Sequence, residues 1–416
     1  MEIEEHFFRH ESGRMIATLT RLFGVRNIAL AEDVAQDAFC RAMETWRFRG
    51  LPENPSAWLM TVAKNRAVDI LRRERTARVS EQALTRFLES EWTLVPTVEE
   101  AFSAGAVKDS QLRMMFSCCH PRLSEEAQVA LILHILCGFS VREIAQAFVS
   151  SHAAIEKRIT RAKNILAEST ALFDLTDTAF PARLSSVLQA LYLLFNEGYH
   201  GASPEAAVRT DLCQEALLLM NLLIGQPALV TPPCHALAAL MNFNAARLPT
   251  RLDGSDHLVG FFEQDRSLWN QHLIAEGQAL LDLSATGTEV TKYHLEAGIA
   301  SIHTHASKIE DTDWKQIVSL YDMLMVIHPS PVVALNRAIA IAQLEGPQRG
   351  LQEIRLIDDL HRLSAYPFYM AALGELELRL GNCAVAAAHF TAALSLARNP
   401  MERHFLQRRI DTCKEC

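Results

Sequence analysis

Lys64, Arg66, Arg72, Arg73 and Arg75 crowd into one short stretch, and Trp46, Phe48 and Trp58 stand just ahead of them. Cations that reach phosphates, interleaved with rings that stack on unpaired bases, suit a single-stranded nucleic-acid surface. A solvated basic face over a Trp-anchored core has the same composition, so composition leaves both readings open. A second basic set, Lys157, Arg158, Arg161 and Lys163, alternates with Ile155, Ile159, Ala162 and Leu166 at helical spacing. Such a helix buries its apolar stripe and turns its cations outward, as a helix lying in the major groove must.

Other polar clusters fit chemistry less well. Cys118-Cys119-His120 offers metal-ligand atoms without a second cluster at suitable spacing, and is read as a buried helix end. Cys413 and Cys416 form a CxxC at the C-terminus, where fraying is expected. Asp253-Gly254-Ser255-Asp256-His257, with Glu263, Asp265, His294, His303 and His305, supplies donors for a hydrolase or metal site. No HExxH, GxSxG, P-loop or dinucleotide fingerprint accompanies them. An Asp/Gly turn leading into a helix with surface acids is the plainer account. The expectation is no enzyme, no metal and no cofactor.

The elements that position the basic residues read as helices almost throughout, so the fold class is all-α. Ile28, Val34, Ala35, Ala38, Phe39, Ala42 and Trp46 keep close to a 3.6-residue period. Gly50 to Pro55 is a turn, Ser56 is the expected cap, and the next helix runs from about Ser56 to Arg75. Residues 76–107, which include Pro96, read as a linker. Leu123-Ser124-Glu125-Glu126 caps a helix over Ala127 to Leu136, and Gly138 stops it. Ser140 caps Val141 to Phe148, and Ser150-Ser151 caps His152 to Ala167. Helix, glycine turn, short helix, tight turn and basic helix make a helix-turn-helix pattern.

The chain of 416 residues is long enough for two or three domains, and 49% apolar with 21% charged residues describes a globular protein. Nine scattered cysteines lack the density of a secreted scaffold. Apolar runs such as Leu217 to Ile224 fall short of a membrane span, and the acidic opening is unlike a secretory signal, so a cytoplasmic protein is expected. Residues 1–170 hold equal numbers of acidic and basic side chains, so the whole net charge of −9 falls on residues 171–416. A balanced front with local basic clusters is compatible with nucleic acid, whereas an acidic back half is repelled by it.

Taken together, the basic units and their order resemble the extracytoplasmic-function sigma factors, which keep only conserved regions 2 and 4. Ala31-Glu32-Asp33-Val34-Ala35-Gln36-Asp37-Ala38-Phe39 is similar to their polymerase-binding helix. Phe48-Arg49-Gly50, Ala57-Trp58-Leu59 and Ala63-Lys64-Asn65-Arg66-Ala67-Val68-Asp69 resemble their −10 reader. Gly138 to Ala145 and Lys157 to Lys163 resemble their −35 reader. In the back half, Leu193 to Tyr199, Gln264 to Trp269 and Pro329 to Ala338 resemble a subgroup with a long tetratricopeptide-like extension. Gly374, Gly381, Ala386, Phe390 and Ala393 fit one repeat, and Ala338, Gly350, Ile354 and Ile357 fit a looser copy upstream.

The resemblance implies a division into region 2 (1–75), a linker (76–107), region 4 (108–170) and a helical extension (171–416). It implies that Glu32, Asp33, Gln36 and Asp37 dock RNA polymerase core. Phe48, Trp58, Lys64, Asn65, Arg66, Arg72 and Arg73 would meet the −10 element, Phe48 and Asn65 by holding a flipped base. Ser151, His152, Lys157, Arg158, Arg161 and Lys163 would meet the −35 element. Glu156 departs from the family, which often has a cation or small polar residue there. It can accept from a cytosine amino group, but pairing with Arg158 or Lys163 is the favoured reading. The extension is expected to contact the sigma regions and control them. The alternative is an interaction scaffold with a vestigial DNA-binding half.

Overall fold

In a computed structural model, the described residues are 5–78, 98–148, 150–168, 179–200, 206–255, 257–364 and 366–415. Most of the stretch read as a linker, Pro96 included, lies outside them, as do Asp256 and Cys416. So does the side chain of Arg75. Among the described residues the chain is helical without a strand; an isolated bridge joins Leu252 to Leu258. It divides into two compact units, residues 1–194 and 195–416.

The first unit begins with α1 (Glu5–Phe23), α2 (Ile28–Arg49) and α3 (Pro55–Arg78). Along α2, Ala31, Ala35, Ala38 and Ala42 recur on one side and are all buried. Small residues at that spacing let neighbouring helices approach closely, and Trp46 closes the end of the stripe. Asn54, rather than Ser56, caps α3: its side chain accepts the Ala57 amide at 3.0 Å. Pro55 then takes the first helical position, where its missing N–H costs nothing. Ser56 instead accepts from Arg14 at 3.0 Å, tying α3 to α1.

Next come α4 (Ala104–Cys118), α5 (Glu125–Leu131), α6 (Val141–Ala147) and α7 (His152–Glu168). Ser124 and Ser151 cap α5 and α7, and Ser140 with Glu143 forms a capping box on α6. The helix expected to continue to Leu136 changes at Ile132 into a π turn over Ile132–Leu136. There α1 comes so close that Gly13 leaves no room for a Cβ, which would lie 1.8 Å from the Leu136 carbonyl oxygen. Gly138 ends the segment at φ 68°. Phe180 and Arg183, early in α8 (Ala179–His200), also belong to this unit. Phe180 packs edge-on against Phe116 at 4.8 Å, and Arg183 donates to the Phe116 carbonyl at 3.3 Å.

The second unit contains α9 (Thr210–Ile224), α10 (Pro232–Ala245), α11 (Gln271–Ser284) and α12 (Lys292–His305). Nearly every residue of α10 from Ala236 to Phe243 is buried, as expected of a helix enclosed on all sides. Six further helices follow: α13 (Trp314–Ile327), α14 (Pro331–Glu345), α15 (Pro347–Arg355), α16 (Pro367–Arg379), α17 (Cys383–Leu396) and α18 (Pro400–Glu415). Consecutive helices pack against one another along this run. Arg337 joins three of them, reaching Asp322 at 2.6 Å and Glu353 at 2.8 Å. The small residues singled out in the sequence lie at close approaches. A Cβ on Gly350 would stand 2.4 Å from that of Ala342, and one on Gly374 would stand 2.9 Å from the Phe390 ring.

Candidate nucleic-acid interface

Three surfaces of the first unit carry the residues singled out for partners. On α2, Asp33, Gln36, Cys40 and Met43 recur at helical spacing and are all exposed, Met43 by 68%. A carboxylate, an amide and an uncovered thioether on one stripe can meet a partner through charge and apolar contact together. Cys40 and Met43 were not singled out in the sequence, although their spacing from Asp33 was legible. Asp37 is half-buried, with Arg41 and Arg66 each 3.4 Å away. Arg66, expected from the sequence to meet the −10 element, is therefore also engaged by an acid of α2.

Phe48 is 84% exposed at the C-terminal end of α2, flanked by exposed Arg47 and Arg49. An uncovered ring is costly unless something stacks on it, so its exposure beside cations is a signal in itself. Trp58 is half-buried and lies edge-on to Trp46 at 5.4 Å, making it part of the aromatic core as well as its rim. Asn65, Arg72 and Arg73 are exposed on α3, and Lys64 is half-buried 3.6 Å from Glu99.

On the helix-turn-helix, Ile155, Ile159, Ala162 and Leu166 form the buried stripe of α7. Ser151, His152, Lys157 and Arg161 are exposed. Lys157 and Arg161 have no acidic partner among the described residues. Together with Arg122 and Arg158 they line one shallow depression beside the start of α5. Arg158 pairs with Glu126 at 2.8 Å. The expected pairing of Glu156 with Arg158 or Lys163 does not form. Glu156 lies 3.8 Å from His152 instead, because both of those cations are taken by acids from other helices.

Lys163 is the exception to the outward rule. It donates to both carboxylate oxygens of Glu32, at 2.5 and 2.8 Å. His134 Nε2 lies 3.4 Å from the same carboxylate. His134 Nδ1 is 3.0 Å from the Phe139 carbonyl, so with that N–H committed Nε2 can donate to Glu32 only as the imidazolium. Arg9 joins the two halves of the unit again, pairing with Glu143 and lying 4.4 Å over the Phe139 ring. Glu32 thus faces the helix-turn-helix, while Asp33 and Gln36 face solvent.

Burial works against the charge on Glu32, but His134 and Lys163 outweigh it and hold the carboxyl below its ordinary range. A depressed pKa contributes stability above the unfolded value, about 4.3, and loses it as pH falls through the folded value. Glu32→Gln is therefore expected to destabilise the chain at about pH 7 and to cost progressively less towards about pH 3. Urea unfolding of both proteins across that range tests this; an equal cost throughout would show that the pair adds nothing net.

The remaining polar clusters are occupied structurally. Cys118 and Cys119 are wholly buried, and burial pushes the Cys118 thiol up to about 12. The Asp253 carboxylate accepts the amides of Ser255 and His257, and the His257 ring stacks on His404 at 3.8 Å. Glu263 engages Arg408 and Arg409, Asp265 caps a short turn, and His294 completes the capping box of α12. Among the described residues no group of three His, Cys, Asp or Glu side chains is placed to hold a metal, and no helix is long and apolar enough to cross a membrane.

Comparison with known proteins agrees with the arrangement of the first unit. Residues 7–77 match sigma-70 region 2 and residues 113–166 match sigma-70 region 4. Residues 183–285 match a family of unknown function, DUF6596. The uncharacterized protein R00370 of Rhizobium meliloti is 37% identical over 400 residues, covering 95% of this chain and 92% of that protein. The probable RNA polymerase sigma factor RfaY of Xanthomonas campestris is 29% identical over 138 residues, 33% of each chain. No solved structure matches. The chain is a member of the sigma-70 family carrying regions 2 and 4, and it belongs to the same family as the Rhizobium protein over nearly its whole length.

Proposed function

We propose that this protein is a cytoplasmic sigma factor of the extracytoplasmic-function type, without enzymatic activity, controlled by its own tetratricopeptide-like extension over residues 171–416. Region 2, within residues 1–75, docks RNA polymerase core through Glu32, Asp33, Gln36 and Asp37. It reads the −10 element through Phe48, Trp58, Lys64, Asn65, Arg66, Arg72 and Arg73. Region 4, within residues 108–170, meets the −35 element through Ser151, His152, Lys157, Arg158, Arg161 and Lys163. Two different DNA-facing surfaces in one chain read two spaced elements without a palindrome. The observation that carries this reading is the uncovered Phe48 among arginines, together with the exposed Lys157 and Arg161 on the helix-turn-helix, which no acid pairs among the described residues. Glu32 and Lys163 serve polymerase and DNA only after they part, so productive binding includes opening of that contact.

Co-purification with polymerase core tests the reading. Asp33→Lys is the cleanest reversal, because Asp33 is exposed and Asp37 also holds Arg41 and Arg66. It is expected to weaken binding at least tenfold, about 1.4 kcal/mol, with the fold unchanged. A folded chain that binds core neither at full length nor when ended at Leu194 removes the proposal and favours a scaffold. The cut belongs there because Phe180 and Arg183 pack into the first unit. In transcription, greater activity of the shortened chain means that the extension inhibits. Loss in a folded front half means that it supports, and no change rejects control of either kind.

A further inference from the structure

Three arginines of the second unit gather around aromatic rings. Arg247 lies 4.4 Å over Phe261 and 5.4 Å from Trp269; Arg251 lies 4.3 Å over Tyr199; Arg266 lies 5.1 Å from Trp269. None of the three forms an ion pair among the described residues. Of the acids nearby, Glu263 is engaged by Arg408 and Arg409 and Glu402 by Arg398, while Glu310 and Asp311 act on Arg266 from a distance without forming an ion pair. Burial and the neighbouring arginines Arg251 and Arg266 all depress the Arg247 guanidinium, opposed only by Tyr199. This is concentrated positive charge in a partly dry setting, which folding alone does not favour.

Unmet hydrogen-bonding atoms mark the same place. Arg247 Nε, Arg266 Nη2, Tyr199 Oη and His303 Nδ1 are each buried without a hydrogen-bond partner. A buried polar atom left unmatched is costly, so four at one centre call for an explanation. Burial, then Arg247 and Arg266, bring the His303 pKa down to about 3, so its ring is neutral and adds no charge of its own. Arg266 is positioned rigidly, its Nη1 donating at 2.9 Å to the carbonyls of His303 and Ala306. Arg247, Arg251 and Phe261 remain half-buried, so the cluster reaches the surface. Two segments singled out in the sequence converge here, Tyr199 from one and Arg266 with Trp269 from the other. Tyr199, Arg247, Arg251, Phe261, Arg266 and Trp269 all fall within the segment of unknown function.

We propose that this cluster is a binding site for a phosphate-type oxyanion, free or carried by a small molecule. Three guanidiniums that no carboxylate pairs among the described residues match a dianion better than a monoanion. Their planar forks donate paired hydrogen bonds to its oxygens. Rings beneath the guanidiniums hold them without neutralising them. The proposal concerns the second unit alone and does not depend on the sigma reading, since it is tested without polymerase or DNA.

Calorimetric titration of the full chain with inorganic phosphate, adenosine monophosphate and acetate, at matched ionic strength, decides it. Saturable binding of phosphate is expected, weakened at least tenfold by Arg251→Gln and by Arg247→Lys, which keeps the charge but loses the fork. Arg408→Gln, outside the cluster, leaves it unchanged. Arg251 is half-buried, so its variant keeps the test valid if Arg247→Lys does not fold. Tighter binding of the nucleotide than of phosphate identifies a carried phosphate as the ligand, and equal binding identifies the free ion. Absence of saturable binding, binding indifferent to both cluster variants, or acetate binding as tightly as phosphate overturns the proposal.

Discussion

Gly13→Val is expected to destabilise the first unit by about 3 kcal/mol or more, at or beyond the upper end of overpacking costs. The clash is with backbone: an added Cβ would meet the Leu136 carbonyl oxygen at 1.8 Å and its carbon at 2.6 Å. No rotamer relieves that, so α1 must withdraw from the π turn. Withdrawal also strains Arg9 against Glu143 and Phe139, and Gly138, whose Cβ would lie 2.8 Å from the Arg9 backbone. Even Gly13→Ala is expected to destabilise, despite a helix-propensity gain of about 1 kcal/mol. Gly24→Ala is the comparison, since Gly24 has φ 83° but nothing within 4 Å of an added Cβ. Its cost is backbone strain alone, about 1–2 kcal/mol. Denaturant unfolding measures all three, and a Gly13→Val protein within about 1 kcal/mol of the parent would refute the close packing.

Phe390→Ala is expected to cost about 3–5 kcal/mol in the second unit. Phe390 is among the largest fully buried side chains, packed with Ala386, Ala393 and Leu406 and against Gly374. Its small neighbours cannot reach into the space the ring would leave, so the cavity persists. Gly374→Val, which pushes a side chain into that ring, is expected to be destabilising too. Combined, the two substitutions should cost less than the sum of their separate effects, because valine occupies part of the vacated volume. Urea transitions of the two single variants and the double variant give the coupling; strict additivity would mean that the two sites do not share a space.

The helix-turn-helix was legible because its signals are local. Ser124, Ser140 with Glu143, and Ser151 each bond to backbone within three residues, and the apolar stripe of α7 repeats every turn. The cap of α3 is ambiguous within the same short turn: Asn54 and Ser56 are both good caps, and Pro55 at the first helical position selects Asn54. The partner of Glu156 is illegible in the sequence for a different reason. Helical spacing offered Arg158 and Lys163, but acids from α5 and α2 reach those cations first. The π turn left no mark in the apolar pattern, because its residues are buried much as those of an α-helix would be.

Residue types at helical spacing determined by themselves the all-α class and the order of the two basic helical sets, since caps, stripes and turns are settled by neighbours in the chain. Contacts across long sequence separations were decided by tertiary structure. Glu32 with Lys163, Gly13 with Leu136, and the arginines around Tyr199 and Trp269 each join segments far apart in sequence. Charge and shape at such places depend on which helices meet, and a stripe of alanines or a lone arginine carries no record of its eventual neighbour.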